Sequence, residues 1–295
     1  MVGEKKTFQV VANIIMFLLL IICLFPFILL VTSSLTEEST LIRDGYALIP
    51  KKWSLGSYTY MLGQGDKIVR AYGITILVTF VGTVASMLLT ILMAYPLSRK
   101  DLPFRNAFAF YVFFTMLFNG GLVPTYIMWT RYLGIKNTIW ALIIPSLLLN
   151  AFYIIMMRTY FSMNIPDAVI EAARIDGAGE FRILFGIVLP MSLPMIATLG
   201  LLVGLGYWND WKNGLYYITE TELFSVQNML NNMLQDVRFL ASGGAGGNAS
   251  EIAANMPSVG IKMAIAVVGA LPVMVIYPFF QQYFVKGITI GAVKG

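Results

Sequence analysis

The chain has 295 residues, 58% of them hydrophobic and only 12% charged, with a net charge of +5 and a mean hydropathy of +0.76. Soluble domains carry about 25% charged residues, so this composition excludes an ordinary soluble domain and points to an integral membrane chain. With no histidine and one cysteine, histidine-dependent hydrolysis, Cys/His nucleophiles and the usual transition-metal sites are excluded as well.

Apolar runs of about 20 residues can cross a hydrocarbon core roughly 30 Å thick. Six such runs lie near Ala12–Thr32, Ala71–Tyr95, Ala107–Trp129, Thr138–Tyr160, Met191–Trp211 and Ile261–Tyr283. The first follows Lys5 and Lys6, the pattern of a signal peptide. It is too long for one, and no small-residue cleavage site follows it, so it reads as a retained helix. Cys23 lies within it and reads as a packing residue in a buried setting. The expected fold class is all-α integral membrane, with six transmembrane helices in a single 1–295 transmembrane domain. The runs show no internal repeat and no matching pair of broken helices.

Lysine and arginine in short flanks mark the cytoplasmic side. Lys5, Lys6, Arg99, Lys100, Arg105, Arg158, Arg174, Arg182, Lys286 and Lys294 fall on one side of the six runs. That makes both termini, the 98–106 loop and the 162–190 loop cytoplasmic. The basic excess is explained by this bias, and no basic stripe interleaved with aromatics suggests nucleic acid. The opposite side holds two long segments, 34–70 and 214–260. In the second, Val226, Met229, Leu230, Met233, Leu234 and Val237 recur at helical spacing over Ser225–Leu240, which predicts an amphipathic helix. The run Gly243-Gly244-Ala245-Gly246-Gly247 predicts a flexible stretch within 214–260.

The segment 162–190 is a charged, helix-prone island between two apolar runs. A short connection would need only a few residues. Asn164, Pro166 and Asp167 read as a helix start, with a capping side chain, proline in the first turn and an acid at the positive helix end. A helix is expected over Asp167–Asp176, ended by Gly177. A second is expected from Gly179 to Leu189, with Phe181, Leu184, Phe185 and Val188 on one face and Pro190 at the turn into the next run. Ala172 and Ala173 would let another protein approach the backbone, with Glu171, Arg174 and Asp176 orienting it. An amphipathic helix resting on lipid would explain the island less well, because the first helix is short and acidic.

The spacing of Glu171-Ala172-Ala173, Gly177 and Ile187-Val188-Leu189-Pro190 resembles the cytoplasmic coupling loop of importer-type ABC transporter permeases. The tail from Gln282 to Gly295 is similar to that of carbohydrate permeases, on the side of the shorter permease of maltose systems. Asn119-Gly120-Gly121-Leu122-Val123-Pro124 resembles a Gram-positive subgroup handling oligosaccharides or polysaccharide fragments. Trp208-Asn209-Asp210 sits where carbohydrate permeases have a Trp-Asn-rich segment, and the glycine-rich 243–247 insertion departs from the shorter loop of the pattern. The resemblance implies a type I ABC importer permease fold, with the coupling loop between spans 4 and 5. It implies Glu171, Ala172, Ala173, Asp176, Gly177, Ile187, Leu189 and Pro190 as the ATPase-coupling residues. It further implies a bacterial plasma-membrane location and a second, homologous permease as partner. Two ATPase subunits, an extracellular sugar-binding protein and a sugar substrate complete the implied assembly.

The chain has no G-x-x-x-x-G-K-[ST] loop, so it is not expected to be an enzyme. ATP and Mg are expected in the partner ATPases, with no cofactor or metal in this chain. A sugar path needs aromatic faces and hydrogen-bonding groups inside the spans. Asn119, Tyr126, Asn150, Tyr153, Tyr207, Asn209 and Asp210 are the candidates. Each also has a plain structural reading as a helix cap, interface anchor or packing residue. The competing functions are an ion-coupled secondary transporter, which usually shows intramembrane acids and broken helices, and a non-transport membrane scaffold.

Overall fold

The structure is a computed structural model and describes residues 6–63, 65–241 and 258–292. The glycine-rich 243–247 stretch lies outside the described residues. Among those described the fold is helical, and the only β pairing is an isolated bridge between Thr36 and Trp53. The chain divides into two compact units, one built from the residues up to Ile68 with Leu230–Pro272, the other from Val69–Met229 with the residues from Val273 onward.

In the first unit, α1 (Lys6–Ser34) is a long apolar helix. Its segment Phe8–Ser34 has a mean hydropathy of 3.4. At 1.5 Å per residue its 27 residues reach roughly 40 Å, enough to cross a bilayer. Its side chains face outward along most of its length, and Cys23 is exposed and not buried as expected. The cause is composition: α1 is apolar on every face, so no stripe selects a protein neighbour. Two short helices follow, α2 (Glu38–Asp44) and α3 (Gly56–Leu62). The Glu38 carboxylate accepts from the Val259 and Gly260 amides at 2.9 Å each. These are the first free donors of the last helix, at its positive end. A Cβ at Gly260 would collide with the Ser57 hydroxyl, so only glycine fits there.

The second unit contains most of α4 (Gly65–Ser98), then α5 (Arg105–Leu117), α6 (Leu122–Ile127), α7 (Trp140–Ile143) and α8 (Ala151–Asn164). It continues with α9 (Asp167–Ile175), α10 (Glu180–Ile183), α11 (Leu189–Met191), α12 (Leu193–Trp208) and α13 (Lys212–Tyr217). Val78, Met87, Ile91, Met157, Phe161 and Leu199 belong to its buried core. Two hydroxyls in these helices return to their own backbone: Thr75 Oγ1 donates to Ala71 O at 2.8 Å and Thr198 to Pro194 O at 2.8 Å. That keeps polar groups satisfied where water is absent. Tyr207 lies so close to Gly82 that any Cβ there would meet its ring.

The expected run of continuous spans is corrected. Among the described residues, two uninterrupted helices, Phe8–Ser34 and Gly65–Ser98, are long and apolar enough to cross a membrane. The third run is broken: Arg105–Leu117 and Leu122–Tyr132 meet at 109°. Gly121 sits at φ +85°, a region glycine enters freely, and the Asn119 side chain accepts from its amide at 2.8 Å. The fifth run bends by 85° between Glu180–Met191 and Leu193–Tyr217, at Ser192, which lies between Pro190 and Pro194. The fourth run, Thr138–Tyr160, is split into α7 and α8 around Pro145 and Ser146, the latter at φ +63°. Proline removes an amide donor and clashes with the preceding turn, so composition alone overstates helix continuity here. The bend at Ser192 agrees with the turn expected at Pro190, whereas the breaks within the third and fourth runs were not foreseen.

The amphipathic helix expected over Ser225–Leu240 is α14 (Val226–Ala241), with Val226, Met229 and Leu230 buried and Met233 and Leu234 half-buried. Its first amide, Val226 N, donates to Thr75 Oγ1 at 2.8 Å. The sixth run lies within α15 (Ser258–Ala292).

Candidate functional site

The 162–190 island folds as a projecting knob built on α9. Pro166 is the N-cap, extended at φ −64°, ψ 132°, and fixes the entry of α9. The Asn164 side chain does not cap α9 as expected; its amide donates back to Tyr160 O at 3.1 Å, at the end of α8. Gly177 at φ +78° closes the helix, and the Ala178 amide returns to Ala173 O at 3.0 Å. A glycine in the left-handed region is the usual way to end a helix.

α9 has two faces. Ile170 and Ala173 are buried, while Glu171, Ala172, Ile175 and Asp176 are exposed, Ile175 at 85%. An exposed large aliphatic beside small residues and two acids is a surface suited to another protein. The second expected helix is not continuous: α10 passes into a π turn, Leu184–Val188, before α11. Pro190 has no amide to give Gly186 and its ring crowds that carbonyl, so the turn widens. The widening rotates the inward face to Ile183, Leu184 and Val188. Phe181 and Phe185, expected on that face, are exposed. Ile187 and Leu189 are half-buried, and Pro190 is exposed.

Sequence reasoning gave Arg174 to a partner, yet this exposed side chain is engaged within the chain. Its Nη1 pairs with Asp101 at 2.8 Å and its Nη2 with Glu180 at 2.8 Å. These two carboxylates hold the guanidinium in its charged form, Asp101 first. The Tyr95 hydroxyl donates to the other oxygen of Glu180 at 2.7 Å. Lys100 Nζ pairs with Asp167 at 2.8 Å and holds its carboxyl below the ordinary carboxylate value. Arg158 Nε donates to Leu97 O at 3.0 Å. A cavity of about 390 Å³ opens between these groups, lined by Leu92, Tyr95, Arg99, Arg174, Glu180 and Phe181 among others. Tyr95, Lys100, Asp101 and Glu180 were missed as site residues. The signal for them was a basic and acidic 98–105 loop facing a knob of mixed charge, which periodicity does not read.

The path candidates separate on geometry. Asn119 holds the Gly121 turn, Asn150 Oδ1 accepts from Phe152 N at 2.9 Å as the α8 cap, and Asn209 Nδ2 donates to Leu205 O at 3.0 Å. Tyr207 is buried and braces the core, donating to Ile143 O at 2.9 Å. Asp210 Oδ1 accepts from the Lys212 and Asn213 amides at 3.1 and 3.3 Å. Its Oδ2 is buried without a hydrogen-bond partner. Tyr153 packs edge-on to Phe152. Tyr126 stacks on Tyr217 with centroids 5.9 Å apart and rings 9° from parallel. Tyr217 was missed, because a tyrosine in a segment without hydrophobic periodicity has no pattern to distinguish it; it is buried at the end of α13. Tyr207, Asn209 and Asp210 meet only as neighbours at the end of α12, where the Asp210 amide donates to Tyr207 O at 3.2 Å.

The long apolar helices and bent helix pairs define a helical integral membrane protein. The chain belongs to the family of binding-protein-dependent transport system inner membrane components, whose family model matches residues 54–290. It is 37% identical to the polygalacturonan/rhamnogalacturonan transport system permease protein YtcP of Bacillus subtilis, over 99% of this chain and 100% of that protein. It is 30% identical to the trehalose/maltose transport system permease protein MalG of Thermococcus litoralis, over 94% of each chain. Its fold is similar to a chain of a crystal structure of a bacterial ABC transporter involved in the import of the acidic polysaccharide alginate. That likeness has a TM-score of 0.80 at 27% identity and covers 96% of this chain and 99% of the other.

Proposed function

We propose that this chain is one permease subunit of an ATP-driven sugar importer and forms half of its translocation path. The observation that carries the reading is the family match over most of the chain, joined to a projecting α9 knob with a buried inner face and an exposed outer one. The substrate class follows the relatives: an oligosaccharide, delivered by an extracellular binding protein. Six membrane crossings, three of them from helices broken near Gly121, Ser146 and Ser192, put both termini in the cytoplasm. A second, homologous permease completes the path, and two ATPases below it hold ATP and Mg.

In this mechanism the ATPases grip Glu171, Ala172, Ile175 and Asp176. Gly177 ends α9 sharply, so the exposed face stands clear of the membrane. Closure of the ATPases on ATP displaces the knob, and the attached helices pass between inward-open and outward-open states. Ile187, Leu189 and Pro190 set how the knob joins α12. The chain's own role is mechanical, consistent with its lack of a phosphate loop.

The test is co-purification and transport. The chain is expected to purify with a second permease and an ATPase. Glu171→Arg is expected to abolish ATP-dependent uptake while leaving membrane insertion intact. Normal uptake by that variant would sink the coupling role.

A further inference from the structure

We propose that Lys100 and Asp101, in the loop between α4 and α5, form a two-point clamp on α9 that ties the coupling knob to the end of α4. The inference rests on the coupling role given to α9 above. Asp167 is the first residue of α9 and Arg174 lies in its last turn. Seven residues apart, they stand about 10 Å from each other along the helix axis. Two adjacent loop residues hold both ends: Lys100 takes Asp167 at 2.8 Å and Asp101 takes Arg174 at 2.8 Å.

The signs are ordered. The acid sits at the positive end of α9 and the base at its negative end, so each charge favours the helix as well as its partner. The loop presents the opposite order, cation then anion. α9 therefore fits in one direction and one register; sliding it by a turn would bring Lys100 or Asp101 away from both partners. Arg174 also carries the contact onward. It bridges Asp101 to Glu180, and Glu180 takes the Tyr95 hydroxyl of α4 at 2.7 Å. Arg99, buried at 7% exposure, lies over the Tyr95 ring at 5.5 Å, with its Nη1 3.8 Å from Asp167.

A cavity of about 390 Å³ opens beside these groups, while Ile170 and Ala173 pack the inner face of α9 into the same buried core as Tyr95 and Leu97. Single exposed ion pairs contribute little to stability, and networks of them matter more. Their role here is positional: apolar packing holds α9 against the core without fixing its register, and the paired charges fix which way and how firmly a push on α9 reaches α4. Arg174 and Asp101 are thus positioning residues, acting through α9.

The experiment uses the complete importer in lipid nanodiscs, with the sugar-binding protein purified together with the oligosaccharide it carries. The readout is the ratio of ATP turnover with and without that binding protein, a signal that must pass through the membrane chain. Arg174→Glu is expected to lower this ratio roughly fivefold or more, within the usual range of coupling between sites. The exchanged variant D101R/R174E/E180Q is expected to recover most of it, because Glu180→Gln removes the new repulsion and still receives the Tyr95 hydroxyl. If Arg174→Glu fails to assemble, the exchanged variant must restore assembly. A wild-type ratio in Arg174→Glu, or no recovery in the exchanged variant, overturns the clamp. Glu171→Arg in the same assay separates the two claims: a wild-type ratio there overturns the coupling role of α9 itself, whereas loss there with a normal Arg174→Glu overturns the clamp alone.

Discussion

At the scale of single residues, two glycines bear the strongest geometric demands. Gly177 holds φ +78°, where a side chain costs about 1–2 kcal/mol. Gly177→Val is expected to lower the thermal midpoint of the purified protein and to reduce ATP-dependent uptake, because α9 then ends in a different direction. An unchanged midpoint would show that the turn is not constrained. Gly82 faces the Tyr207 ring with no room for a Cβ. Gly82→Ala is an overpacking change, expected to cost about 1–3 kcal/mol in thermal unfolding. Tyr207→Phe removes only the hydrogen bond to Ile143 O, so it is expected to lose about 1 kcal/mol. Tyr207 is a core brace on this account, and Tyr207→Phe should leave the sugar concentration for half-maximal uptake unchanged; a large rise in that concentration would return it to the path.

At the scale of elements, charge decides how α9 meets its surroundings. Lys100 holds the Asp167 carboxyl below its ordinary value of 3.8. A depressed carboxylate contributes above its unfolded value and loses that contribution as pH falls through its folded value. The α9 contact is therefore expected to be constant between neutral pH and mild acid and to weaken only below about pH 4. Hydrogen exchange of the α9 amides measures this, and a loss centred near pH 6 would contradict it. The knob shows how far the sequence reads. The extent of α9 and its end at Gly177 were legible, because an acidic first turn and a glycine stop act locally. The continuity of the apolar runs was not. Whether Pro145, Pro190 or Gly121 bends a helix depends on packing, and hydropathy averages over it. The pairing of Arg174 within the chain was illegible for another reason: its partner Asp101 is far away in the chain and carries no periodic signal.

At the scale of the whole molecule, the fold class and the family were readable from composition and from one loop, while the path was not. Four of its seven candidates, Asn119, Asn150, Asn209 and Asp210, are occupied with backbone amides or carbonyls at turns and helix ends. Caps and sugar contacts use the same residue types, so sequence cannot separate them. Two bent helix pairs are also features of ion-coupled transporters, and they make the energy source the central claim to test. The direct measurement is oligosaccharide uptake by the assembled importer in proteoliposomes, with the energy source varied. Uptake is expected to require ATP, to stop when the ATPases are inactivated and to continue when an uncoupler collapses the proton gradient. Uptake that survives ATPase inactivation and collapses with the uncoupler would contradict the account.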